Sequence, residues 1–286
     1  MISTIRLPSS RILAYAEYGD PRGAPLFLFH GAPGSRIFHP PDDITTRLGV
    51  RLICVDRPGY GGSTFQPGRR ILDWPTDIAH LADSLGLARF AVAGHSGGGP
   101  HTLACAYALP DRVTAAAVLS GAGPADAPGL TEGMTVLNRL GFQFGRYVHW
   151  PVWRVLVWWF YRKKAANPTR ALEENIGKRA RADDEVLADL YARTNCIESE
   201  TEGYRQGLRG FAWDARLLTR PWGFALEEIR VPVFLWHGTA DDTTAIEMGR
   251  YMAKQIPNCR ATFCEGEAHL LLFPHWEEIL TALVGA

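Results

Sequence analysis

A serine among closely spaced glycines is the feature of this sequence with the clearest chemical meaning. In Gly94-His95-Ser96-Gly97-Gly98, Ser96 lies between a predicted strand and a predicted helix. A serine in so tight a turn has a strained backbone, and glycines two positions away avoid clashes with a Cβ atom. The helix start directs free N–H groups at the hydroxyl, as a nucleophile requires. A glycine-rich turn without chemistry is the alternative, which the flanking elements disfavour.

Two further motifs precede this turn. His30-Gly31-Ala32-Pro33-Gly34-Ser35 follows a predicted buried strand, and Asp56-Arg57-Pro58-Gly59-Tyr60-Gly61-Gly62-Ser63 follows the next one. Together with the Ser96 motif, they resemble the α/β-hydrolase superfamily over nearly the whole chain outside one insertion. The second motif lacks the Gly-Lys-Ser/Thr of a phosphate loop, and Asp56 is predicted to hold backbone N–H groups in a turn.

The resemblance implies an oxyanion hole. In the superfamily, one N–H comes from the residue after the His-Gly pair, here Ala32, and the other from the residue after the nucleophile, here Gly97. Two fixed donors suit the negative oxygen of a tetrahedral intermediate. A purely structural role for the first motif is also open, with Ser35 as the cap of a helix.

The resemblance also implies the general base and its orienting acid. The family's histidine follows the last strand, which selects His269 among nine histidines, with His275 as the alternative. The family's acid follows a glycine by three positions, which selects Asp241 after Gly238 and leaves Asp242 as a turn residue. The chain order Ser96, Asp241, His269 is that of the superfamily.

Composition excludes several other classes of function. The formal net charge is zero, which argues against nucleic acid as a partner. The five cysteines form no Cys-x-x-Cys motif, and we expect neither a metal nor a cofactor. The start of the chain does not resemble a signal peptide, and no apolar run is long enough to span a bilayer. We therefore expect a cytoplasmic protein without integral membrane contact.

Short apolar runs alternate with helix-length segments along most of the chain. Such alternation predicts βαβ units and a mostly parallel, doubly wound sheet, the α/β-hydrolase fold. The predicted strands are 12–18, 25–30, 51–55, 90–93, 113–119, 232–237 and 261–264, and the predicted helices are 76–85, 97–108, 243–255 and 275–284.

The alternation stops between residues 120 and 231, where no strand is predicted and helical patterns such as 185–194 occur. We predict a helical cap over 123–225, with a main domain of 1–122 and 226–286. An aromatic run over 147–161 contains Trp150, Trp153, Trp158 and Trp159. It could line an apolar pocket, pack the insertion onto the main domain, or form an interface, including a homodimer or a membrane-surface contact. Arg146, Arg154 and Arg162 are predicted to form a solvated face.

A serine esterase is the leading hypothesis for function. Ser96 would form an acyl-enzyme from a small or medium, largely apolar ester without a cofactor. An aminopeptidase resembling the proline iminopeptidases is an alternative, in which the acidic cluster Glu198, Glu200 and Glu202 could bind a substrate amine. A ligand receptor that retains the three residues but has little turnover is another.

Overall fold

The computed structural model describes residues 2–127, 129–132, 134 and 136–285, with only the backbone of Leu137 and Asn138. The termini of the predicted main domain, Met1 and Ala286, lie outside the described residues, as do residues 128, 133 and 135 of the predicted cap. The strands are β1 (Ser3–Arg6), β2 (Ile12–Gly19), β3 (Ala24–Phe29), β4 (Val50–Val55), β5 (Phe90–His95), β6 (Val113–Leu119), β7 (Val233–Gly238) and β8 (Cys259–Cys264).

These strands form one eight-stranded sheet in the order β1-β2-β4-β3-β5-β6-β7-β8. β2 is antiparallel to both β1 and β4, and the remaining neighbours are parallel. The mostly parallel sheet predicted from the sequence is therefore confirmed. Because parallel strands end at the same edge, the loops after β3, β5, β7 and β8 meet there.

Helices cover both faces of the sheet. One hydrophobic core contains Ile78, Leu103 and Met252, and the core on the opposite face contains Trp276 and Ile279. No described helix is long and apolar enough to cross a bilayer. The helices are α1 (Asp42–Arg47), α2 (Trp74–Ser84), α3 (Gly99–Ala108), α4 (Val136–Phe144), α5 (Trp150–Ala166), α6 (Pro168–Glu173), α7 (Arg181–Val186), α8 (Leu190–Gly203), α9 (Arg209–Leu218), α10 (Ile246–Gln255) and α11 (Trp276–Val284).

Some element predictions are wrong. β1 was not predicted, since four residues at the edge of a sheet carry too short an apolar pattern. The predicted helix 97–108 begins as a 3-10 turn over Ser96–Gly98, and α3 starts only at Gly99. The predicted helix 185–194 instead covers the end of α7 and the start of α8, with Asp189 as the N-cap between them.

Helices α4 to α9 occur between β6 and β7, and residues 136–218 are called the helical segment below. A buried cluster of charges joins this segment to the loops of the sheet. The Asp214 carboxylate in α9 accepts a hydrogen bond from Arg57 at 2.9 Å and another from Arg69. Burial raises the pKa of Asp214, but the two guanidinium groups outweigh burial and hold it far below its ordinary value.

Arg57 also binds the loop after β3. Its guanidinium donates to the carbonyl of His30 and, at 2.9 Å, to the carbonyl of Gly31. A second ionic contact lies nearby in sequence, where Arg36 contacts Asp56 at 2.6 Å and Glu202 of α8 at 2.8 Å. Ion pairs therefore hold the C-terminal part of the helical segment to the loops that follow β3 and β4.

Replacing Asp214 by asparagine should strongly destabilise the fold, because it leaves two buried guanidinium groups without a countercharge. Removing one partner of a buried ion pair costs about 3–5 kcal/mol, and urea unfolding should show a loss of this size. Glu174→Gln is the matched control, since its pair with Arg170 is mostly exposed and its removal should not change the midpoint. Equal effects of both substitutions would contradict the role of burial.

Candidate active site

Ser96 occupies a strained turn at the carboxyl end of β5. Its φ angle is +54°, in the left-handed region that residues other than glycine rarely adopt. The turn leaves no room beside it: a Cβ atom on Gly94 would lie 2.5 Å from the Gly98 oxygen, and one on Gly98 would lie 2.2 Å from the Phe29 oxygen. Glycine is therefore required at both positions, and the strain at Ser96 is maintained by packing.

The loop after β3 lies against this turn. A Cβ atom on Gly97 would lie 3.0 Å from the Cβ of Ala32 and 3.5 Å from its backbone nitrogen. The two predicted oxyanion donors, Ala32 and Gly97, are thus adjacent and line one cavity together with Ser96. Ser35 does not cap a helix, because α1 begins only at Asp42, and its hydroxyl instead accepts a hydrogen bond from the Ile37 N–H at 3.3 Å.

Asp241 and His269 are in direct contact. The Nδ1 atom of His269 lies 2.8 Å from Oδ2 of Asp241, which is fully buried, whereas the imidazole is partly exposed. Burial raises the pKa of Asp241, but His269, His237 and the Thr244 N–H together outweigh burial and lower it to about 2. Burial lowers the pKa of His269, but the charge and hydrogen bond of Asp241 raise it above its ordinary value of 6.5.

The loop after β7 fixes the Asp241 carboxylate. Its Oδ1 atom accepts the N–H groups of Thr243 and Thr244, each at 2.9 Å, and Thr244 Oγ1 lies 2.8 Å from Oδ2. The predicted helix start at residue 243 is wrong for this reason, and α10 begins at Ile246. Asp242 contacts the Thr243 hydroxyl at 3.3 Å and no described histidine.

Two residues hold the backbone around His269, and sequence analysis assigned a role to neither. His95 Nε2 donates to the His269 carbonyl oxygen at 2.8 Å, and burial with the neighbouring His269 lowers the pKa of His95 to about 3, so its ring is neutral. Asp183 of α7 accepts the N–H of Leu270 at 2.7 Å. Burial raises the pKa of Asp183. The position of His95 next to Ser96 was a signal that could have identified it, whereas nothing local marks Asp183.

The alternative base, His275, has no free ring nitrogen. Its Nε2 contacts Glu267 at 2.8 Å and its Nδ1 contacts Glu278 at 3.1 Å. His275, Glu267 and Cys264 are also the one group among the described residues whose ligand atoms lie close enough to hold a metal ion.

Asp56 accepts the N–H groups of Arg36 at 2.6 Å and of Gly62 at 2.8 Å, as predicted for a turn residue.

A cavity of about 450 Å³ opens onto Ser96. Its walls come mainly from the helical segment and are mostly apolar or aromatic, with a few hydroxyl-bearing side chains. The lining residues are Ala32, Ser96, Gly97, Ala122, Leu140, Gly141, Phe142, Phe144, Gly145, Val148, Trp153, Leu156, Val157, Phe160, Tyr161, Phe211, Ala215, Leu218, Thr219, Thr243 and Thr244.

The tryptophans of the aromatic run have different surroundings. Trp153 lines the cavity and donates its indole N–H to the Ala212 carbonyl at 2.8 Å. Trp150 packs edge-on against Trp213, whereas Trp158 and Trp159 are 55% and 56% exposed. Trp153 therefore fits the pocket interpretation and Trp150 the packing interpretation. The exposed Trp158 and Trp159 are consistent with an interface.

The acidic cluster considered for amine binding lies elsewhere. Glu198 is exposed, Glu200 contacts Lys164 at 2.9 Å, and Glu202 contacts Arg36 at 2.8 Å. Within the described part of the chain, no aspartate or glutamate lines the cavity. The described lining side chains are therefore mostly apolar, and none is a carboxylate that could pair with an ammonium group.

The family of the chain follows from a match of most of its length. Residues 24–275 match the family described as alpha/beta hydrolase fold, and the chain belongs to that family. An esterase from Rhodococcus sp. has the same fold, with a TM-score of 0.71, 20% identity, and coverage of 100% of this chain and 98% of the esterase.

Relatives with different names match either a part or nearly all of the chain. A proline iminopeptidase from Xylella fastidiosa is 34% identical over 36% of this chain and 34% of its own length. The chain spans about a third of the length of the first relatives that it matches. An (E)-2-((N-methylformamido)methylene)succinate hydrolase from Acinetobacter baylyi is 24% identical over 99% of this chain and 97% of its own length.

The Asp241–His269 contact generates a pH-dependent prediction. A histidine base must be neutral, and a raised pKa keeps His269 protonated to higher pH, so activity should rise with pH through an apparent pKa above 6.5. Asp241→Asn removes the stabilising charge. In the pH–rate profile of this variant, the rise in activity should occur at lower pH. The plateau rate should fall by roughly 10⁴-fold, as it does after the equivalent change in a serine protease.

Asp242→Asn is the matched control, measured over the same pH range. It should keep a plateau rate near that of the wild type and shift the rise in activity only slightly, because Asp242 lies near His269 but does not bond to it. A larger rate loss for Asp242→Asn than for Asp241→Asn would contradict the assignment.

Proposed function

We propose that this chain is a serine esterase that hydrolyses largely apolar carboxylic esters of small to medium size. The observation that carries the proposal is the largely apolar cavity lined by Ser96 together with Ala32 and Gly97. The Asp241–His269 hydrogen bond supports it further, since an acid that orients a histidine is the usual partner of a serine nucleophile.

In the proposed reaction, Ser96 Oγ attacks the acyl carbon while His269 takes its proton. The carbonyl oxygen becomes negative and accepts hydrogen bonds from Ala32 and Gly97. His269 then gives the proton to the leaving alkoxide, and the alcohol departs from an acyl-enzyme. Water loses a proton to His269 and attacks the acyl carbon; the bond to Ser96 Oγ then breaks as His269 returns the proton to that oxygen, which releases the acid and restores Ser96. Asp241 stays ionised and stabilises the imidazolium.

The helical segment sets the substrate preference in this proposal. It belongs to the predicted cap of 123–225, and the remaining ranges, 1–122 and 226–286, carry the reacting groups. Those groups contact only the ester bond, which all ester substrates share, so acyl chains must be distinguished by the cavity walls. Each buried methylene contributes about 0.8 kcal/mol, or roughly a factor of four in specificity.

The proposed nucleophile can be tested by covalent labelling. A fluorophosphonate probe should label the wild type, and Ser96→Ala should abolish both the label and the turnover of a chromogenic ester, a loss of roughly 10⁶-fold by comparison with subtilisin. Ser84→Ala at the end of α2 is the control and should keep both. Labelling of the Ser96 variant would place the nucleophile elsewhere.

The same assay distinguishes the alternatives. Amino-acid anilides that turn over faster than esters would favour an aminopeptidase, in keeping with the match to proline iminopeptidase. Stoichiometric labelling without turnover of esters or anilides would favour a ligand receptor. An ester that turns over repeatedly would exclude the receptor.

Gly141 allows a test of the cavity with little disturbance of the fold. It lines the cavity, and a Cβ atom there meets nothing within 4 Å. Gly141→Leu should therefore fill part of the cavity and lower the ratio of kcat/KM for long-chain to short-chain esters at least fourfold. Gly141→Ala should leave the ratio near that of the wild type. An unchanged ratio in folded Gly141→Leu would mean that the acyl chain does not occupy this cavity.

A further inference from the structure

Helix α5 presents apolar side chains to solvent. Val152, Val155, Leu156 and Trp159 follow the spacing i, i+3, i+4, i+7, which places them on one face of the helix. Their exposed fractions are 54%, 58%, 41% and 56%. In a surface helix, an apolar face with this spacing normally faces the protein core.

Exposed apolar side chains also occur in α4 and in the turn that follows it. Among the described residues, ten of the sixteen exposed large apolar side chains lie in 136–160. They form the apolar patch, which consists of Val136, Leu140, Phe144, Tyr147, Val152, Val155, Leu156, Trp158, Trp159 and Phe160. Such a concentration in one segment indicates a surface that a partner covers.

The charged residues within the stretch of sequence that carries the apolar patch all have one sign. Residues 133–172 contain no aspartate or glutamate, although the net charge of the whole chain is zero. The basic residues of this stretch are Arg139, Arg146, Arg154, Arg162, Lys163, Lys164 and Arg170. Lys164 and Arg170 contact glutamates, and the other five have no ion-pair partner within the described ranges.

Two of these arginines lie over the rings of the patch. The Arg162 guanidinium is 5.1 Å from the ring centre of Trp158 and 5.5 Å from that of Trp159. Arg146 is 4.6 Å from the ring centre of Tyr147. Cationic groups and aromatic rings therefore lie side by side in this segment, the composition that suits the boundary between lipid headgroups and acyl chains.

From this charge pattern we propose that α4 and α5 dock on an anionic lipid surface. A second copy of the chain is disfavoured as the occupant, because a symmetric contact would bring two sets of unpaired cations together. Lipid phosphates neutralise the arginines while the aromatic and aliphatic side chains enter the interface. The docking is peripheral, in agreement with the lack of a membrane-crossing helix among the described residues.

The apolar patch and the cavity share side chains. Leu140, Phe144, Leu156 and Phe160 line the cavity and are also 41–56% exposed. Docking through the patch therefore places the cavity entrance at the lipid surface, so an apolar compound dissolved in the lipid can reach the cavity without crossing water.

Sedimentation with vesicles tests the docking independently of any reaction. Wild-type protein should bind vesicles of phosphatidylcholine with 30% phosphatidylglycerol at least tenfold more strongly than phosphatidylcholine alone, and added salt should weaken this binding. Ser96→Ala protein should bind equally well, so a failure of the proposed esterase function leaves this result unaffected.

Variants of the patch separate its apolar and electrostatic contributions. Replacing Trp158 and Trp159 by serine together should lower vesicle binding at least tenfold. Arg154→Gln should lower it about fivefold, the contribution of one cation near an anionic surface. Leu190→Ser is the control, since Leu190 is 77% exposed outside the patch, and its binding should equal that of the wild type.

Far-ultraviolet circular dichroism should first show that the variants are folded. Two results would then overturn the proposal. One is the absence of binding to the anionic vesicles. The other is a dimer in sedimentation velocity that the Trp158 and Trp159 substitutions dissociate, which would make a second copy the occupant of the patch.

Discussion

The guanidinium of Arg57 carries a charge that has no contact with water, and the centre of the molecule is arranged around it. Such a charge is tolerated only when it is paired and its donors are satisfied. Arg57 meets this requirement through the carbonyls of His30 and Gly31 on one side and Asp214 on the other. One buried group thus positions both the loop that continues to Ala32 and the helix that helps to enclose the cavity.

Polar contacts are concentrated around His269, in the loop that follows β8. His269 is held through its ring by Asp241, through its carbonyl by His95, and through the following N–H by Asp183. His95, Asp183 and Asp241 are buried and the His269 side chain is only 13% exposed, so these contacts act in a low dielectric and strongly restrict the orientation of the ring. The cavity at Ser96 is lined largely by apolar side chains, so the polar contacts that fix His269 and the apolar walls are separate features of the site.

Local constraints explain which parts of the fold and candidate site could be predicted from the sequence. Apolar runs alternate with amphipathic segments in each βαβ unit, and the tight turn at Ser96 requires nearby glycines, so both features appear in short stretches of sequence. The Arg57–Asp214 contact joins residues 157 positions apart, and Asp183 bonds to a backbone group 87 positions later. Such long-range partners leave no periodic pattern, and neither does the short edge strand β1.

The position of Asp183 and Asp214 within the helical segment has an evolutionary consequence. The segment is continuous in sequence, so recombination could exchange it for the corresponding segment of another family member in one event. An incoming segment that lacks Asp214 would leave Arg57 and Arg69 without a countercharge. One that lacks Asp183 would leave the N–H of Leu270 unpaired. Segment and sheet are therefore expected to be inherited together, and specificity should diverge by point substitution in the cavity walls rather than by exchange of modules.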